Sequence, residues 1–119
     1  DVLRGGSGND TLGGNFGDDR LFGEGGDDRM IGGAGADTLT GGVGKDVFVF
    51  SAGSGADVVT DFDGARDRVD LSAYHFTSLA LARAAFTDTA DGLQFQVGAD
   101  SLVMTGFTLA ALAEANLII

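Results

Sequence analysis

The sequence predicts a mainly β fold: a flattened right-handed solenoid of very short parallel strands, closed by a C-terminal cap of short strands, a β-hairpin and one or two short helices. Three observations carry this expectation. A nine-residue pattern repeats without slippage from Gly5 to Val49. Fifteen of the 21 glycines fall between Gly5 and Gly44, so the enrichment is periodic and not low-complexity. The acidic residues are almost all aspartate, with Glu24 and Glu114 the only glutamates in a chain of net charge −11.

Cut every nine residues from Gly5, the chain reads GGSGNDTLG, GNFGDDRLF, GEGGDDRMI, GGAGADTLT and GGVGKDVFV. Position four is Gly8, Gly17, Gly26, Gly35 and Gly44. Position six is Asp10, Asp19, Asp28, Asp37 and Asp46, and position eight is Leu12, Leu21, Met30, Leu39 and Phe48. Positions one to six read as a turn whose carbonyls can point inward, because glycine tolerates φ > 0. Positions seven to nine read as a minimal strand whose middle side chain faces a core. Nine residues make half a coil, so units one, three and five stack on one edge and units two and four on the other. Stacked strands then lie about 4.8 Å apart. Asp1 and Leu3 fit positions six and eight of a preceding unit, so the array is expected to begin upstream.

An isolated Asp beside glycine is ordinary turn chemistry. Five in strict register along a thin coil form a row of like charges that needs a counter-charge. A hard cation taking roughly 6–8 carboxylate and carbonyl oxygens meets that need, and calcium is the expected ion.

These units match the pattern GGxGxDxUx and resemble the repeats-in-toxin (RTX) calcium-binding β-roll. Residues 41–71, GGVGKDVFVFSAGSGADVVTDFDGARDRVDL, resemble the segment that closes the β-roll in serralysin-type and related type I-secreted exoproteins. The resemblance implies one calcium between successive turns on the same edge. The first turn gives carbonyls two and four and its Asp, and the next gives carbonyls one and three and its Asp. Carried over, one ion takes Gly6, Gly8, Asp10, Gly23, Gly25 and Asp28. A second takes Asn15, Gly17, Asp19, Gly32, Ala34 and Asp37, and a third Glu24, Gly26, Asp28, Gly41, Val43 and Asp46. Asp28 bridges two ions, with Asp19 and Asp37 as further bridges. Gly33, Gly35 and Asp37 are expected to find a partner carboxylate in Asp57; Gly42, Gly44 and Asp46 are expected to find theirs in Asp61. Asp1, Gly14, Phe16 and Asp19 make a half-site. Asn15 and Glu24 depart from glycine at position two, where φ > 0 suits Asn better than Glu. Asp18 and Asp27 read as solvated charge, and Arg20 and Arg29 as outward-facing balance.

Past Asp57 the period ends, dividing a β-roll (1–57) from a cap (58–119). DVVTDF and RVDLS read as strands around a turn at Gly64. TSLALARAAF, residues 77–86, reads as a helix capped by Thr77 or Ser78. LQFQV and SLVMT flank Gly98-Ala99-Asp100 as a hairpin. TLAALAEA reads as a last helix capped by Thr108, before the apolar end Leu117-Ile118-Ile119. This half supplies the core that a thin coil lacks. By resemblance, its tail is the region read by a type I exporter; a closing strand is the plainer reading, and the two are compatible.

Composition narrows the functional classes. The charge disfavours nucleic acid and anionic membranes as partners. There is no cysteine, so disulfides and thiolate metal sites are excluded. No apolar run reaches the roughly 20 residues of a membrane span. His75 is the only histidine and no HExxH or GxxxxGK[ST] motif occurs, so no catalysis is expected. The expected function is a secreted, extracellular calcium-binding module that folds on calcium and supports secretion and stability of a larger protein. Its partners would be calcium, an upstream domain and the type I secretion machinery. The alternative is a carbohydrate-binding module for an alginate-like polysaccharide. It needs a cationic or aromatic track, which Arg4, Arg20, Arg29 and Lys45 do not obviously form.

Overall fold

The nine-residue units fold as half-coils in the computed structural model, which describes residues 1–119. Twelve strands and one α-helix form: β1 (Val2–Ser7), β2 (Thr11–Gly13), β3 (Arg20–Gly25), β4 (Arg29–Ile31), β5 (Thr38–Val43), β6 (Val47–Val49), β7 (Ala56–Val59), β8 (Arg68–Asp70), α1 (Leu79–Ala84), β9 (Phe86–Asp88), β10 (Gly92–Val97), β11 (Asp100–Thr105) and β12 (Leu117–Ile118). β1, β3, β5 and β7 pair in parallel in one sheet, and β11, β10 and β9 extend it. β2, β4, β6, β8 and β12 form the other, all parallel.

Register follows the repeat. Leu3 pairs with Leu21 and Leu21 with Leu39, while Leu12 pairs with Met30 and Met30 with Phe48, each step 18 residues. The position-eight side chains fill the space between the sheets; Leu21 and Met30 are fully buried. After unit five the coil lengthens. Leu39 pairs with Val59, a step of 20, and Phe48 with Val69, a step of 21. β7 spans the position taken above as the domain boundary, so both sheets run on through it.

The cap closes the end by adding strands to both sheets. β11 pairs with β7 and β12 with β8. The hairpin of β10 and β11 turns at Gly98-Ala99, as expected from the alternation around it. Phe95 sits at the centre of an aromatic cluster, with ring centroids 5.1 Å from Phe86, 5.3 Å from Tyr74, 5.7 Å from Phe50 and 6.1 Å from Phe76. Edge-to-face pairs of this kind add to the burial of a large apolar area.

Two helix expectations need correction. The first helix is six residues, Leu79–Ala84, with Ser78 Oγ accepting the Leu81 N–H as its cap. It stops early because Phe86 is drawn into β9, pairs with Phe95 and is buried. The second is two separate 3-10 turns, Leu109–Ala111 and Glu114–Asn116, and Thr108 makes no side-chain cap. Tertiary partners win there: Asp88 Oδ1 accepts the Leu109 N–H, and the Arg83 guanidinium donates to the Leu109 and Leu112 carbonyls. The carbonyls a longer helix would have used are already taken. The chain end forms β12, the plainer of the two readings of the tail. His75 is exposed, at the end of a 3-10 turn (Ser72–Tyr74).

Candidate metal centre

The turns stack into two edges. Residues 5–10, 23–28 and 41–46 lie on one, and 14–19, 32–37 and 51–57 on the other. Along each edge, every position-six aspartate is hydrogen-bonded to the next. The Asp10 N–H donates to Asp28 Oδ1 (2.8 Å) and the Asp28 N–H to Asp46 Oδ1 (3.0 Å). On the other edge, the Asp19 N–H donates to Asp37 Oδ1 (2.8 Å) and the Asp37 N–H to Asp57 Oδ1 (3.0 Å). The Asp1 amino group donates to Asp19 Oδ1 in the same way. One carboxylate oxygen each of Asp19, Asp28, Asp37, Asp46 and Asp57 thus holds the coils in register.

The other oxygen has no partner. Asp10, Asp19, Asp28, Asp37 and Asp46 each present a buried Oδ2 with no hydrogen bond. A buried charged oxygen left unpaired is costly, and native folds supply such atoms with a donor or a cation. The surroundings are equally specific. A methyl group on Gly5 would stand 2.8 Å from both Asp10 Oδ2 and the Gly23 carbonyl. One on Gly14 would meet Asp19 Oδ2 and the Gly32 carbonyl, and one on Gly23 would meet Asp28 Oδ2 and the Gly41 carbonyl. All five orphaned oxygens lie against a position-one glycine, and those of Asp10, Asp19 and Asp28 converge with the position-one carbonyl of the next turn, in a space open only because position one is glycine. Negative oxygens with no donor among them suit a hard cation such as calcium.

The other expected ligands fall in the same turns. The carbonyls of Gly8, Asn15, Gly17, Glu24 and Gly26 point along the stack at Gly26, Gly33, Gly35, Gly42 and Gly44 of the next coil. The Ala34 and Val43 carbonyls accept the Gly17 and Gly26 N–H groups, and each keeps a second lone pair. Gly6 pairs with Glu24 and Ser7 with Gly25 across β1 and β3. Asn15 (φ 71°) and Glu24 (φ 76°) both adopt the left-handed region that position two demands. The Glu24 carboxylate reaches out to Arg4 at 3.1 Å.

Burial dominates the electrostatics of the row. It pushes the Asp46 carboxyl up to about 6, with Asp67 and Asp28 adding repulsion. It pushes Asp57 up to about 7, with Asp37 and Asp100 adding to it. Asp37 and Asp67 are raised for the same reason. Asp70 goes the other way: Ser72 and Arg29 outweigh the effect of burial and lower it.

At the last coil the structure departs from expectation. Asp57 does stack on Asp37, but the carboxylate stacked on Asp46 belongs to Asp67, not Asp61. Asp67 Oδ1 accepts the Asp46 N–H at 3.0 Å and its Oδ2 accepts the Asp63 N–H at 2.9 Å. Asp61 instead accepts the N–H groups of Gly41 (2.9 Å) and Gly42 (2.8 Å). The step of 21 residues carries the chain past Asp61 before it regains the edge. Asp100 also went unread; it accepts the N–H groups of Gly53 (2.9 Å) and Gly55 (3.0 Å), terminating the other edge. Its only sequence signal was an Asp in a hairpin turn.

Position five carries a second ladder. Asn9 Oδ1 accepts the Asp27 N–H, Asp18 Oδ1 the Ala36 N–H and Asp27 Oδ1 the Lys45 N–H, each at 2.8 Å. Asp18 and Asp27 are exposed as expected, yet they are coil-to-coil braces as well as solvated charge. Arg20 is exposed, and Arg29 pairs with Asp70 at 3.2 Å.

Comparison with known proteins agrees with this geometry. A family model described as RTX calcium-binding nonapeptide repeat (4 copies) matches residues 1–30, 13–48 and 22–59. Among solved structures, the AlgE6R2 subunit of the Azotobacter vinelandii mannuronan C5-epimerase is 33% identical, with a TM-score of 0.68 over 100% of this chain and 87% of that one. The AlgE6R3 subunit of the same epimerase is 30% identical, with a TM-score of 0.65 over 94% and 78%. The extracellular lipase LipA of Serratia marcescens shares the fold at 23% identity, with a TM-score of 0.64 over 97% of this chain and 20% of the lipase. No curated protein matches the chain.

Proposed function

The chain belongs to the RTX calcium-binding nonapeptide repeat family, and from that premise we propose that it is a secreted module whose folding is triggered by extracellular calcium. The single observation that carries this reading is the row of five buried, unpartnered Asp Oδ2 atoms, each lying against a position-one glycine. Asp10 with Asp28, Asp19 with Asp37 and Asp28 with Asp46 would hold ions between like-edged turns, with Asp57 and Asp67 closing the two edges. Bound calcium supplies the positive charge that makes this stack of carboxylates stable.

Without that charge the stacked carboxylates repel and the thin core does not offset chain entropy. Extracellular calcium modules bind at about 10⁻⁴–10⁻³ M, so such sites stay empty at cytosolic calcium and fill outside. Binding free energy then becomes folding free energy. Residues 1–57 act as the calcium-dependent roll and 58–119 as the cap that closes it. The tail ending in Leu117-Ile118-Ile119 is accessible to a type I exporter before folding and is secured as β12 afterwards. The module so stabilises a larger secreted partner and has no catalytic activity of its own. Circular dichroism in chelator and across a calcium titration tests the reading. The expected result is a disordered spectrum that converts cooperatively to β-sheet; a β-sheet spectrum in chelator that calcium leaves unchanged would refute it.

A second reading is favoured by one observation. Arg4, Arg20 and Phe22 share the outer face of the seven-stranded sheet, with the Arg4 guanidinium 4.5 Å from the Phe22 ring centre. Thr38 and Thr40 continue that face, whereas Arg29 lies on the other sheet and Lys45 on a turn. A cation beside an aromatic ring on a flat polar face suits an acidic polysaccharide. Calorimetric titration with short mannuronan oligomers, repeated on Arg4→Gln, separates this reading from the first.

A further inference from the structure

Where the last regular turn meets the C-terminal tail, a cleft of about 350 Å³ is lined by Lys45, Arg66 and Arg68 together with Asp46, Asp67 and Asn116. Its size falls at the lower end of small-ligand pockets, about 300–1,000 Å³. Three of the chain's seven cationic side chains gather here, in a protein of net charge −11. Of the other four cations, Arg20 is exposed with no ion pair and the remaining three have partners. Arg4 meets Glu24 and Phe22, Arg29 meets Asp70, and Arg83 is engaged by two carbonyls. Around the cleft only Arg66 forms an ion pair, with Asp63 at 3.9 Å, and Lys45 and Arg68 form none.

The two buried acids of the lining form no ion pair with them. Asp46 Oδ1 accepts the Asp28 N–H, and its Oδ2 lies against Gly41 on the edge. Both Asp67 oxygens accept backbone N–H groups. The main chain under each cation is pinned. The Lys45 N–H donates to Asp27, the Arg66 N–H to the Asp63 carbonyl and the Arg68 N–H to the Asp46 carbonyl. Asn116 Nδ2 holds the Gly64 and Asp67 carbonyls at 2.8 and 2.9 Å, fixing the loop that carries Arg66. Val47, Ala65 and Ala115 add an apolar surface. Two guanidinium forks and an ammonium around one cleft match the several oxygens of a tetrahedral oxyanion, through charge-assisted hydrogen bonds.

We propose that this cleft binds a phosphate or sulfate ester borne on a monosaccharide-sized body. The site rests on the folded state, and not on the export or polysaccharide readings. The test titrates the full chain in calcium with glucose 6-sulfate and glucose 6-phosphate, following amide NMR shifts at Lys45, Arg66 and Arg68, with glucose and glucuronate in parallel. Saturable shifts with one or both esters are expected, at least tenfold tighter than with glucose or glucuronate; which ester binds identifies the source of the oxyanion. The Lys45→Gln/Arg68→Gln variant should lose at least tenfold in affinity while its calcium-dependent circular dichroism is unchanged, and Arg4→Gln should bind as wild type. Equal binding of glucose or glucuronate, shifts that survive in the double variant, or equal weakening by Arg4→Gln would each overturn the proposal. A chain that does not fold on calcium is recognised by its circular dichroism, which separates failure of the folding reading from failure of this one.

Discussion

Replacing Gly23 with alanine tests the metal centre without altering the chemistry of any ligand. A Cβ at Gly23 would lie 2.6 Å from the Gly41 carbonyl and closer still to Asp28 Oδ2. Both neighbours are fixed, the first as backbone and the second because Asp28 Oδ1 is held by the Asp10 N–H. The methyl group therefore takes the space where Asp28 Oδ2 and the Gly41 carbonyl converge. At free calcium 100 times the dissociation constant, one ion bound only to the folded state contributes about 2.7 kcal/mol. Asp28 is shared by two proposed sites, so displacing it removes up to about 5 kcal/mol, comparable with the whole stability of a small domain, about 5–15 kcal/mol. Gly13→Ala is the control: it has open space around the new methyl group and should change stability by no more than about 1 kcal/mol. The assay is a calcium titration followed by circular dichroism, with calorimetry for the number of ions bound. Gly23→Ala should fold only at higher calcium and bind at least one ion fewer. A wild-type midpoint with wild-type stoichiometry would refute the reasoning.

Three further outcomes are expected. The calcium-free fold should gain stability as pH falls: the folded-state values of about 6 for Asp46 and about 7 for Asp57 lie above the ordinary carboxylate value of about 3.9, so the folded state binds protons first. In chelator, β-sheet signal should therefore grow between about pH 7 and pH 4, and in calcium the apparent affinity should weaken across the same window, as calorimetry would show. Phe95→Ala empties the centre of the aromatic cluster and should cost about 3–5 kcal/mol, read as a rise in the calcium needed to fold. Asn116→Ala strands the Gly64 and Asp67 carbonyls at about 1–3 kcal/mol each, and limited proteolysis should then cut the tail at calcium concentrations that protect wild type.

The array was legible because its neighbours are set by counting. Once Leu12, Met30 and Phe48 recur every 18 residues, a coil that repeats must stack them, and the aspartates follow in the same step. The hairpin was legible too, since alternation on either side of Gly98-Ala99 is a local signal. The junction was not. Beyond Val49 the coil takes two and then three extra residues, and Asp57, Asp61, Asp63 and Asp67 are chemically equivalent candidates that spacing does not rank. Helix lengths in the cap were also misread, because Phe86 and Leu109 answer to distant partners and not to local propensity.

The sequence by itself determined the two-edged parallel coil, the buried row of position-eight side chains and the aspartates that face each other along the edges. A strict repeat turns each local conformation into a fixed neighbour one coil away. Only the tertiary structure decided that Asp67 follows Asp46, that Asp61 and Asp100 are spent on glycine amides, and that Lys45, Arg66 and Arg68 surround one cleft. Those contacts join residues up to 47 apart with no shared period, so they form only once the cap has packed against the last coil.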